Sequence, residues 1–159
     1  MKSRADYKTL SAPSLDALYM LGKSLANTAL DRAIVELIKI RASQMNGCLF
    51  CLDMHVKEAK IHGERELRIH HLPLWRESSL FSPQEKAALQ WTELLTRPGP
   101  HGVEDEDYAN VSAHFSEKDV SDMTFVITLI NSWNRLGIAF RSTPGTLDKI
   151  MGLDKAGLH

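Results

Sequence analysis

Apolar residues recur along this chain at intervals of three and four, with polar residues between them. Leu15, Leu18, Leu21 and Leu25 share one helical face, the mark of an amphipathic helix, and Ser14 is its expected cap. Residues 1–13 ahead of it read as an extended arm ending at Ser11-Ala12-Pro13. Ile34, Leu37, Ile38 and Met45 form the stripe of a second helix, Asp31 to Met45. Asn46-Gly47 ends it, because glycine takes the left-handed conformation that a helix C-cap needs. A third helix starts at Cys48 and runs through Val56, Ala59 and Ile61 to a stop at His62-Gly63. A short helix from Glu64 to about Ile69 precedes the Leu72-Pro73 break, and Leu74 to Ser79 reads as a loop.

Ser82-Pro83-Gln84-Glu85 is a helix start with a capping serine, a proline in the first turn and a glutamate able to reach back. That helix carries Ala87, Ala88, Trp91, Leu94 and Leu95 and ends before Arg97-Pro98-Gly99-Pro100. The acids Glu104 to Asp107 favour a helix N-terminus near residue 104. Ser116 caps the last long helix, with Asp119 at the capping-box position; Val120, Met123, Val126, Ile127, Ile130, Trp133 and Gly137 are its stripe. If helical to Ala139 it spans about 35 Å. Phe125 to Ile130 has β-rich composition but lies inside this helical period. Residues 142–159 read as a flexible tail. The pattern describes an all-α, single-domain helical bundle of about six helices, covering 1–159 with its core at 31–63.

Composition adds little to that picture. With 43% hydrophobic and 25% charged residues in 159, the chain is an ordinary globular protein of a length that suits one domain. Its formal net charge of −1 gives no reason to expect a nucleic acid or an anionic membrane as partner. No run approaches the ~18 to 20 apolar residues of a spanning helix. The polar start, Met1 to Lys8, is followed by no signal-peptide core. The expected compartment is cytoplasmic and reducing, where a cysteine pair is more often catalytic, redox-sensing or metal-binding than structural.

Candidate chemistry concentrates at Cys48-Leu49-Phe50-Cys51, the only cysteines present, followed by His55. At about 100° per residue, Cys51 lies roughly 60° and His55 roughly 20° around the axis from Cys48, so all three share one stripe. Three residues of helix bring the sulfurs close enough to bridge after a rotamer change. Cys48, at the helix start, faces unsatisfied N–H groups and the positive dipole end, which stabilise thiolate. Cys51 lies one turn from His55, which can take its proton. The residues leave open which sulfur is the nucleophile. Two plainer readings stand beside this one: buried structural cysteines, or part of a zinc site, for which the fourth ligand is missing and a stripe is the wrong shape. By periodicity Glu36 is a solvated partner of Arg32 or Lys39; in an antiparallel hairpin about Gly47 it could instead reach His55. His62, His70, His71, His101, His114 and His159 read as structural or exposed, Trp133 as core, and Asn134 and Arg135 as surface or interface groups.

Glu36, Cys48, Cys51 and His55 at these spacings, flanked by Gly47 and Gly63, resemble the alkyl hydroperoxidase D (AhpD) core of the carboxymuconolactone decarboxylase-like superfamily. Trp75-Arg76-Glu77, Ser82-Pro83-x-Glu85 and Asn131-Ser132-Trp133-Asn134-Arg135 are similar to its single-domain, peroxidase-related branch. The resemblance implies a thiol peroxidase or disulfide oxidoreductase. In it Cys51 attacks a hydroperoxide, Cys48 condenses with the sulfenic acid and, as the more exposed sulfur, meets the reductant, while Glu36 and His55 relay protons. It implies no bound cofactor and no metal. It also implies an external dithiol reductant, lipoylated or thioredoxin-like, and a homo-oligomer, trimer or hexamer. The best-known members carry a histidine between the cysteines, where this chain has Leu49 and Phe50. That shortens the relay and makes the mouth more apolar. The alternatives are a thiol-independent decarboxylase of the same superfamily and a non-enzymatic redox-sensing adaptor.

Overall fold

The computed structural model describes residues 3–158 and is all-helical there. Nine α-helices follow in order: α1 Tyr7–Leu10, α2 Ala12–Leu25, α3 Arg32–Asn46, α4 Leu49–Ile61, α5 Glu66–His71, α6 Pro83–Thr96, α7 Asp105–Ser112, α8 Glu117–Phe140 and α9 Asp148–Met151. Short 3₁₀ turns occupy Leu72–Leu74 and Leu153–Ala156. Among the described residues no helix is long and apolar enough to cross a membrane.

Helix α3 is the axis of the fold, because different faces of it enter three apolar clusters. Ile34 and Ile38 join Ala88 and Trp91 of α6 and Met123 and Ile127 of α8. Leu37 and Ile40 join Ala59 of α4, Leu72, Trp75, Phe81 and Leu89. Ala42 joins Cys48, Cys51 and Ile130. Leu37, Ile38 and Ile40 are at most 1% exposed, and each such burial is worth about 1.5–3 kcal/mol relative to exposure. Asp31 caps α3 by accepting a hydrogen bond from the Ala33 amide at 2.8 Å. Gly47 ends it at φ 72°, in the left-handed region that a side chain would strain.

Immediately beyond Gly47 the chain reverses. The Cys48 amide donates to the Ser43 carbonyl at 3.1 Å, and at the far end Glu36 of α3 meets His62 just past α4. The two helices therefore form an antiparallel hairpin with Cys48 at its closed end. The serine caps expected for α6 and α8 are both present as reciprocal capping boxes, Ser82 with Glu85 and Ser116 with Asp119.

Both ends of the chain differ from expectation. The N-terminal arm contains α1, and α2 begins at Ala12 rather than after Ser14. Pro13 fits within its first turn, where the missing N–H would have had no partner. Tyr7 stacks on Phe140 at 4.8 Å, and the Arg4 amide donates to the Phe140 carbonyl at 3.1 Å, which fastens this segment to the end of α8. The presumed flexible tail instead folds back as α9 and a 3₁₀ turn against α4, burying Leu153 and Ala156. Lys57 of α4 holds it there, donating to Asp53 at 2.9 Å and to Asp148 at 2.8 Å.

Candidate active site

The sulfur pair lies at the closed end of the α3–α4 hairpin. Cys48 is the N-cap of α4, not its first helical residue, and its Sγ accepts the Cys51 amide at 3.3 Å. The sulfur at the cap is thus the one aimed at the helix's free N–H groups. With Cα atoms 5.4 Å apart, Cys48 and Cys51 are bridged as a disulfide. They are 2% and 1% exposed, so Cys48 is not the accessible sulfur expected of it. Ala42, Ile130, Phe50 and Trp133 surround the pair. Gly137 of α8 backs it: a Cβ there would stand 2.9 Å from Cys48 Sγ and 3.4 Å from Cys51 Sγ.

His55 is buried on the same stripe, and its Nδ1 lies 2.7 Å from Glu58 Oε2. Burial pushes its pKa below the ordinary histidine value, outweighing the Glu58 hydrogen bond and charge that act the other way. His55 is therefore a neutral base at neutral pH. Its Nδ1–H donates to Glu58, which leaves Nε2 as the proton-accepting nitrogen. Burial pushes the Glu58 carboxyl up, but the hydrogen bond from His55 and the nearby Lys39 charge hold it, on balance, low.

Glu36 is buried, against its surface reading by periodicity, yet its hydrogen-bonding partner is His62 Nδ1 and not His55. The hairpin register explains this. Glu36 lies level with the end of α4, where it pairs with His62 and not with the ring at position 55. Glu58 takes the place beside His55 that the resemblance gives to Glu36. Glu58 drew no role from the sequence pattern and His62 read as structural or exposed, although the three-and-four spacing from Cys48 through His55 continues to both. His62 and Glu36 line a surface cleft of about 550 Å³ together with Arg32 and Arg65.

A second polar system sits behind the disulfide. Asn134, read as a surface or interface residue, is fully buried. It donates to Ser43 Oγ at 3.1 Å and accepts from Asn46 at 2.9 Å. Asn46 also donates to Asn131 at 2.9 Å. These bonds tie α8 to the last turn of α3 and so place the Gly47-Cys48 corner. Among the described residues no three His, Cys, Asp or Glu side chains converge in a way that could hold a metal ion.

Residues 14–94 match the carboxymuconolactone decarboxylase family. The chain belongs to that family. Within it the chain is 41% identical over 139 residues to the uncharacterized protein YdfG of Bacillus subtilis (strain 168), an alignment covering 87% of this chain and 95% of YdfG. A crystal structure from Agrobacterium tumefaciens, of a protein of unknown function assigned to antioxidant defence as AhpD, superposes with a TM-score of 0.86 at 36% identity. It covers 91% of this chain and 99% of that one. The debrominase Bmp8 shares the fold at 19% identity and a TM-score of 0.75, over 92% and 78% of the two chains. The carboxymuconolactone decarboxylase fold, in its AhpD-like form, thus carries a closely spaced cysteine pair here.

Proposed function

We propose that this protein is a thiol-dependent peroxidase and disulfide oxidoreductase. The observation that carries the reading is a bridged cysteine pair at the start of α4, sharing a helical stripe with a neutral, buried His55 held by Glu58. In the reduced state His55 Nε2 takes the Cys51 proton, and the thiolate attacks the terminal oxygen of a hydroperoxide. The O–O bond breaks, the proton goes to the departing alkoxide, and Cys51 becomes a sulfenic acid. The Cys48 thiol then attacks Cys51 sulfur, water leaves, and the disulfide closes. An external dithiol supplies the two electrons that reopen it. Because both sulfurs are sealed from the surface, a slender lipoyl arm on a carrier protein suits this step better than the broad face of a thioredoxin-like protein.

We further propose a homo-oligomer, trimer or hexamer; exposed Leu10, Tyr19, Met20 and Phe125 offer apolar surface for it. The test of the activity is a thiol count before and after one equivalent of hydroperoxide, with mass spectrometry locating the bond. Two thiols should be lost and the Cys48–Cys51 bridge recovered. Cys51→Ser should abolish the reaction, and His55→Ala should slow it roughly 10²-fold. An unchanged thiol count rejects the peroxidase reading. The apolar wall of Phe50, Ile130 and Trp133 favours one second reading, reductive debromination of an aromatic compound. There two thiols and a C–Br bond give a C–H bond, hydrogen bromide and the disulfide; bromide release in place of peroxide consumption would identify it.

A further inference from the structure

Asn134 is fully buried in α8 behind the disulfide, and the chemistry proposed above gives it no part. A buried amide persists where both its ends are satisfied, and here both are. Its Nδ2 donates to Ser43 Oγ at 3.1 Å, and its Oδ1 accepts from Asn46 Nδ2 at 2.9 Å. Ser43 spends its own hydroxyl proton on the Lys39 carbonyl at 2.7 Å, so what it offers Asn134 is a lone pair, and this fixes which way the amide is turned. Asn46 is shared with Asn131 at 2.9 Å, and Asn131 in turn donates to Thr96 of α6 at 3.1 Å. Asn46 is the last residue of α3, and the Ser43 carbonyl is the one that accepts the Cys48 amide. Asn134 thus grips the two residues from which Cys48 hangs. One turn further along α8, Gly137 faces both sulfurs. The same helix holds the backbone of the corner and leaves room for its sulfur atoms.

We infer that Asn134 is a positioning residue for the redox pair, holding Cys48 at attack distance from Cys51 while the disulfide is open. The inference rests on the pair being the reactive centre, as proposed above. With the bridge closed, the S–S bond itself keeps Cys48 beside Cys51, whatever stands at position 134. With the bridge open, only the backbone of the corner does so, and that backbone passes through Gly47, the residue type with the most conformational freedom. A loose corner would give the reduced form a freedom that the oxidised form cannot share, and so would favour the dithiol. Asn134 removes that freedom in advance and raises the effective concentration of one thiol at the other. Its loss therefore makes the disulfide easier to reduce. A merely structural amide behaves otherwise. Its loss weakens the oxidised and reduced proteins alike, and the equilibrium between them, which reads only their difference, does not move.

The test is equilibration of the full-length protein with glutathione buffers, approached from both the oxidised and the reduced side. One protein disulfide and two glutathione thiols give two protein thiols and one glutathione disulfide, counted by mass after alkylation. Asn134→Ala, its fold confirmed by circular dichroism, should shift the equilibrium constant toward the dithiol by about tenfold, which is about 30 mV for a two-electron couple. Asn46→Ala removes the bond to Asn134 Oδ1 from a partly buried position. It should shift the constant the same way by about threefold, within what one hydrogen bond supplies, and it carries the test if Asn134→Ala does not fold. Thr92→Val removes a different buried bond, from Thr92 Oγ1 to the Ala88 carbonyl at 2.7 Å in α6. It should lower the unfolding stability and leave the constant where it was. An unshifted constant in the two asparagine variants, or a shift of equal size in Thr92→Val, overturns the positioning role. Peroxide takes no part in this equilibrium. Failure of hydroperoxide to close the bridge in the unmutated protein overturns the peroxidase reading instead, and the glutathione equilibrium still decides the role of Asn134.

Discussion

Gly137 lacks a side chain where the disulfide takes the space. A methyl group there would sit 2.9 Å from Cys48 Sγ and 3.4 Å from Cys51 Sγ, with the Phe50 ring at 3.8 Å. Gly137→Ala should destabilise the oxidised protein by roughly 1–3 kcal/mol, the usual cost of overpacking a tight site, measured by denaturant unfolding. Acid titration bears on the neighbouring ring. Burial holds the folded pKa of His55 below the ordinary 6.5. As pH falls through that value the unfolded chain takes up a proton that the folded chain refuses. Stability therefore declines on acidification and levels off below the folded pKa. Glu58, held low on balance with an ordinary value of 4.5, adds a decline of the same sign at lower pH. Around His55 the charged groups are Glu58, Lys39 and Glu36. His55→Gln should flatten the stability curve as pH falls below the ordinary histidine value of 6.5; an unchanged slope would place the titration elsewhere. At this scale Cys48, Cys51 and His55 were legible, because one helix fixes their mutual positions. Glu36 was not: a wheel shows the face of a residue, while its burial depends on the neighbouring helix. Asn134 was missed for the same reason, its partners Ser43 and Asn46 lying about ninety residues earlier.

Helices with local start and stop signals were readable to within a residue or two. α6 and α8 announce themselves by serine caps, and α3 by Asp31 and Gly47. The two ends were not, since neither α1 nor α9 has a periodic stripe long enough to register. What holds the C-terminal segment is a lysine, a residue that reads as solvated by default. The Asp148 and Asp53 carboxylates hold the Lys57 ammonium above its usual pKa range, and the Gly145 amide also donates to Asp53, at 3.2 Å. Lys57→Met should free this segment while leaving α4 intact. Limited proteolysis should then cut near residue 145 within minutes in the variant and slowly in the parent. Equal cutting in both would show that Leu153 and Ala156 suffice to hold the segment.

At the scale of the molecule, a long chain of local decisions converges on one buried helix. The family fold wraps α4, α6 and α8 around α3, and the disulfide sits at the point where α3 turns into α4. A debrominase shares this frame. The proposed activity accordingly rests on what lines the corner and not on the frame itself. Because α3 belongs to all three apolar clusters, no part of the core can loosen without it. Its amide protons should then exchange with deuterated water only when the whole chain opens, while those of α2, which buries none of its residues, exchange through local fraying. Protection factors that rank α3 below α6 or α8 would mean that the hub opens before its spokes.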